Sequence, residues 1–148
     1  MKFVWNAIVR CKDRKYPMCG PIFLPYPNLP KTSAHRPNWP MDGWQAYVAC
    51  HVCGGIALFE KADVEWGQVP QQLDMEQRTQ NPFHRVSLRC DQSNCESLIE
   101  VLTMWPRGDN EQNLARRLGG ASDVPKCANG HPAARPTVFA KTQVIGDL

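Results

Sequence analysis

Two stretches decide the fold: Cys50-His51-Val52-Cys53-Gly54-Gly55 and Cys90-Asp91-Gln92-Ser93-Asn94-Cys95. They read C-x2-C-G-G and C-x4-C, with 36 residues between Cys53 and Cys90. Apolar-rich extended segments flank each one: residues 44–49 and 56–59 around the first, 83–89 and 98–105 around the second. Two hairpin-like turns, each offering two thiolates, can close a tetrahedral four-cysteine site. The expectation is therefore one structural Zn(II) held by Cys50, Cys53, Cys90 and Cys95. In small zinc modules such ligation supplies folding free energy on the order of 10 kcal/mol. Buried free cysteines acting as small hydrophobes are the competing reading. They do not explain why both pairs fall in Gly- or Asn-bearing turns. The long separation is no obstacle, because loop-closure cost grows slowly with length and an insertion over residues 61–82 accounts for it.

Outward from these turns, residues 44–49 and 56–60 read as the strands of the first hairpin. Gly54-Gly55 allow the positive φ that a thiolate turn requires. Residues 83–89 alternate polar and apolar side chains, which predicts a strand with one apolar face. Residues 97–105 carry Leu98, Ile99, Val101, Leu102 and Met104, a strand buried on both faces or nearly so. Residues 68–82 hold five glutamines, two prolines and little periodicity, and are predicted as an exposed insertion. Near the N-terminus, residues 2–11 favour a strand. Six prolines between residues 21 and 40 exclude a helix or a central strand there, and predict an extended arm over the core. Asp109 is predicted to cap a short helix over 110–118 that Gly119-Gly120 closes. Residues 137–145 have the composition of an edge strand.

The fold class expected is mainly β: a zinc-ribbon-like antiparallel sheet with one short helix and a proline-rich N-terminal arm. At 148 residues the chain is read as one domain. It divides into an N-terminal strand and arm (1–43), a zinc-ribbon core (44–105), and a helix with a C-terminal strand (106–148).

C-x2-C and C-x4-C turns flanked by strands resemble the zinc ribbon, a superfamily of two-knuckle β modules. The second half, Leu88-Arg89-Cys90-Asp91-Gln92-Ser93-Asn94-Cys95, is similar to the zinc finger of the Ogr/Delta phage late-gene activators. The resemblance covers residues 44–105 and implies a metal site; a role in transcription is its weaker implication. The inter-knuckle loop is much longer here than in that family.

Seven cysteines are an odd number that cannot all pair as disulfides within one chain. Residues 3–9 are interrupted by Asn6 and followed by Arg10, unlike a secretory leader. The expected setting is therefore reducing and cytoplasmic. No apolar run approaches the ~18 residues of a membrane span. Cys11, Cys19, Cys127 and His131 remain. One reading joins them in a second zinc site that ties the arm to the C-terminal segment; isolated core or surface cysteines are the other. His51 is expected to face solvent or to support the turn.

Net charge is +3 and uneven. Residues 1–36 carry seven Lys/Arg against one Asp, residues 37–105 four against nine Asp/Glu, and residues 106–148 six against four. The cysteine core is thus the acidic part, and four thiolates on zinc add about two more negative charges. This weighs against the core gripping phosphate, which needs Lys/Arg contacts. No metalloprotease, deaminase, P-loop or nucleophile-elbow motif is present. The expected function is non-catalytic: a zinc-held module that binds a macromolecular partner, a protein first. A nucleic-acid-binding regulator of zinc-ribbon type is the alternative, and a thiol redox pair at Cys50/Cys53 the minor one.

Overall fold

The computed structural model describes residues 2–14, 16–24, 42–90, 92, 94–106, 108–119, 125–132 and 139–145. It is mainly β, with two sheets and two helices. Most of the proline-rich arm (25–41) lies outside the described residues.

Strand β1 (Phe3–Arg10) is the centre of a three-stranded antiparallel sheet, with β2 (Pro21–Phe23) on one side and β5 (Glu65–Pro70) on the other. The five-stranded sheet contains β3 (Gln45–Ala49), β4 (Ile56–Glu60), β6 (Phe83–Arg89), β7 (Leu98–Met104) and β8 (Phe139–Ile145). Its order is β4-β3-β7-β6-β8, which puts β8 at an edge as the sequence predicts. A single turn of 3-10 helix at Lys61–Asp63 carries the chain from β4 into β5. There the Glu60 amide donates to Asp63 Oδ2 at 2.8 Å.

Side-chain alternation along the larger sheet makes it a middle layer. Val48, Phe59, Phe83 and Met104 pack with Ala7, Val9 and Ile22 of the smaller sheet and with Leu24 just after β2. Ala49, Ile56, Val86, Leu88, Ile99 and Val101 pack instead with Leu114 and Leu118 of helix α2 (Glu111–Gly119). Fully burying each such aliphatic or aromatic side chain contributes about 1.5–3 kcal/mol. The β7 strand is more one-sided than its composition predicts, since Leu98 and Glu100 are exposed.

Two expectations are corrected. Residues 61–82 are no surface insertion: β5 completes the smaller sheet, and Gln71–Gln80 forms a helix, α1. Leu73 and Met75 are exposed on α1, so it lacks the apolar stripe by which helices are recognised in sequence. Helix α2 is capped by Asn110, whose Oδ1 accepts the Asn113 amide at 2.8 Å. Asp109 instead accepts from the Asn113 side chain, also at 2.8 Å.

The larger sheet is also not wholly antiparallel. Strands β3 and β7 pair in parallel, Tyr47 opposite Val101 and Ala49 opposite Thr103. Strands β6 and β7 are antiparallel, Arg89 opposite Leu98. The turn after β3 therefore lies at the C-terminal end of β7, whereas the turn after β6 lies at its N-terminal end. At ~3.3 Å per residue the two are roughly 20 Å apart along the strand direction.

No helix among the described residues is long and apolar enough to cross a membrane.

Two candidate metal centres

That topology separates the four cysteines expected to share one ion. Cys50 and Cys53 meet Cys11 and Cys19; Cys90 and Cys95 meet Cys127 and His131. Within each group the ligand atoms all lie within 4.8 Å of one another. The second-site reading changes in the same way, because Cys11 and Cys19 are divided from Cys127 and His131. The reason is strand direction: two hairpin turns converge only if the strands leading into them run side by side in the same sense.

The first centre is built at the seam between the two sheets. Strand β1 delivers Cys11 at its end, and Arg14 follows in the left-handed region at φ 48°, where its amide donates to Cys11 Sγ at 3.4 Å. A turn in which the Cys19 amide donates to Tyr16 O at 3.0 Å presents the second sulfur. The β3–β4 turn closes by Cys50 N–H to Gly55 O at 2.9 Å and Gly54 N–H to Cys50 O at 2.8 Å. In this turn the amides two residues on from each cysteine point back at sulfur: Val52 N–H to Cys50 Sγ and Gly55 N–H to Cys53 Sγ, both 3.4 Å. Gly54 has φ 75°, and a Cβ there would overlap the carbonyl oxygen of Arg117 in α2. The two-glycine sequence thus admits both the turn and the close approach of a helix.

The second centre lies on the α2 side of the sheet. Cys90 ends β6, and the Cys95 amide closes its turn on Gln92 O at 3.0 Å. Residues 127–131 form a tight loop, with Cys127 N–H to His131 O and Gly130 N–H to Cys127 O, both 2.8 Å. Tyr47 of β3 anchors this loop by accepting the Lys126 amide on its hydroxyl at 3.2 Å. Cys95 and His131 border a polar surface depression with Gln92, Asn94, Ser97 and Asn129.

Both donor sets fit a tetrahedral ion. With metal–sulfur bonds of ~2.3 Å, tetrahedral geometry puts sulfurs about 3.8 Å apart. Cys11 Sγ and Cys53 Sγ are 3.6 Å apart, and Cys95 Sγ and Cys127 Sγ 4.0 Å. His131 Nδ1 is buried with no hydrogen-bond partner among the described residues. His51 joins neither group. Four ligands in each group leave no open coordination position for a substrate.

The thiols differ in electrostatic setting. Burial pushes the Cys50 thiol up to about 12 and also raises Cys11. At Cys53 burial opposes ionisation, but the Gly55 amide and the neighbouring thiols outweigh it and lower the value. Burial raises Cys90. The Ser97 hydroxyl and amide, with His131 and Asn129, bring Cys95 down to about 5.

Two cationic side chains near the N-terminus are paired on the surface. Arg10 pairs with Glu65 at 2.7 Å and Lys12 with Asp63 at 3.5 Å. No tryptophan is among the exposed large hydrophobic residues described, and Trp105 is buried.

Comparison of the chain with family models, with curated proteins and with solved structures finds no match.

Proposed function

We propose that the chain is a non-catalytic module that binds two structural Zn(II) ions, one at Cys11/Cys19/Cys50/Cys53 and one at Cys90/Cys95/Cys127/His131, and that its role is to engage a protein partner. One observation carries the reading: two complete sets of four zinc-type ligands, each gathered from segments distant in sequence, with ligand atoms within 4.8 Å. Thiolate-rich sets favour zinc over hard cations, and closed four-ligand shells favour structure over catalysis. A protein partner is favoured over nucleic acid because Arg10 and Lys12 are paired with Glu65 and Asp63, and no described tryptophan is among the exposed large hydrophobic residues.

Elemental analysis of the purified chain tests the reading. Two zinc per chain is the expected result; zero defeats it, and one removes one of the two centres.

A further inference from the structure

We infer that Arg117 is the charge partner of the four-cysteine centre, a positioning residue whose guanidinium offsets the negative charge that the centre acquires when loaded. The inference rests on the reading of that centre as a divalent-cation site.

A divalent ion with four thiolates retains about two negative charges. Here that charge is set inside protein, since Cys11, Cys50 and Cys53 are all buried. Removing net charge from water is costly unless an opposite charge accompanies it. The amides of Arg14, Val52 and Gly55 supply dipoles but no full charge. Lys12 is turned elsewhere: its Nζ donates to Leu58 O at 2.9 Å and lies 4.7 Å above the Phe59 ring. Asp13, whose Oδ2 is buried against Gly55, adds to the negative side.

Arg117 has the complementary problem. It stands in the last turn of α2, and its side chain is only 17% exposed. Its backbone and stem rest on Gly54, the residue after Cys53. Its Nε and Nη2 are buried without a hydrogen-bond partner among the described residues. The Asp109 carboxylate reaches only Nη1, at 3.9 Å. A cation held away from water with so little compensation, beside a site that becomes anionic on loading, answers both costs at once. The second centre, with three thiolates and one neutral imidazole, carries about one negative charge and borders a polar surface depression. It needs no such partner.

The experiment uses the full chain as wild type, Arg117→Met, Arg117→Gln and Arg117→Lys. Zinc affinity is measured by chelator competition and site identity by cobalt(II) substitution, in which four-thiolate and three-thiolate–imidazole centres have distinct d–d spectra. Both neutral variants are expected to weaken the four-cysteine centre about 10- to 100-fold. Arg117→Lys should recover most of that loss. The spectrum of the second centre should be unchanged throughout, which also reports that each variant is folded. Wild-type affinity in either folded neutral variant overturns the inference, as does a Lys variant as weak as Met. A wild-type chain with an empty first centre would defeat the two-ion reading together with the inference; two bound ions and an indifferent Arg117 would defeat the inference alone.

Discussion

Cys11 Sγ lies 3.6 Å from Cys53 Sγ, which joins the end of a strand in one sheet to the first turn of the other. Cys11→Ser and Cys53→Ser should therefore lose the same ion. Each is expected to lower zinc from two to one per chain, read by elemental analysis. A Cys11→Ser chain that keeps both ions would separate Cys11 from the centre.

Cys53 and Cys90 belong to different ligand groups at opposite ends of β7. Serine substitutions at the two positions should therefore act independently. Their losses in unfolding free energy are expected to add within about 0.5 kcal/mol in the double variant. Marked sub-additivity in denaturant titrations would mean that one ion serves both.

Gly54 and Gly43 both have positive φ, 75° and 83°, but only Gly54 is crowded. A Cβ at Gly43 meets nothing within 4 Å. Gly43→Ala should cost about 1–2 kcal/mol, the conformational penalty alone. Gly54→Ala adds a collision with the backbone of α2 and should cost several times as much, seen as a much larger fall in thermal midpoint. Equal falls would remove the close packing of the turn on the helix.

His84 packs edge-on against Trp105, ring centroids 4.8 Å apart, and burial lowers its pKa below the ordinary 6.5. Below 6.5 the unfolded chain takes up the proton more readily than the folded chain. The stability from the neutral ring is thus complete above that value and declines as pH falls. In urea titrations at pH 7.5 and 5.5, His84→Phe should lose less stability on acidification than wild type. An identical loss in both would remove His84 from the pH response.

Strands β1, β3, β4, β6, β7 and β8 and the ligand pairs were legible in the residues themselves, whereas β2 and β5 were not. Cys50-x2-Cys53 before two glycines and Cys90-x4-Cys95 in an Asn-bearing turn mark ligand turns wherever they fold. Residues 83–89 form β6 with Val86 and Leu88 buried on one face as the alternation implies, but Phe83 and Ser87 are buried too, so β6 has no single apolar face. Partner choice was not legible, because it follows from the parallel pairing of Ala49 with Thr103, a long-range register with no local signature. Cys127-x3-His131 carried a recognisable two-ligand spacing, yet nothing in it says which turn it joins. Helix α1 was obscured by its exposed Leu73 and Met75. Its signal was propensity alone: a run rich in Gln with Leu, Met, Glu and Arg, broken by neither Gly nor Pro.

The two ligand sets do not interleave along the chain. All four sulfurs of the first centre precede residue 54, and the second begins only at Cys90. At about 5–20 residues per second, the last sulfur of the first group is thus made seconds before the first sulfur of the second. Synthesis order keeps the two sets of ligands apart in time as the topology keeps them apart in space.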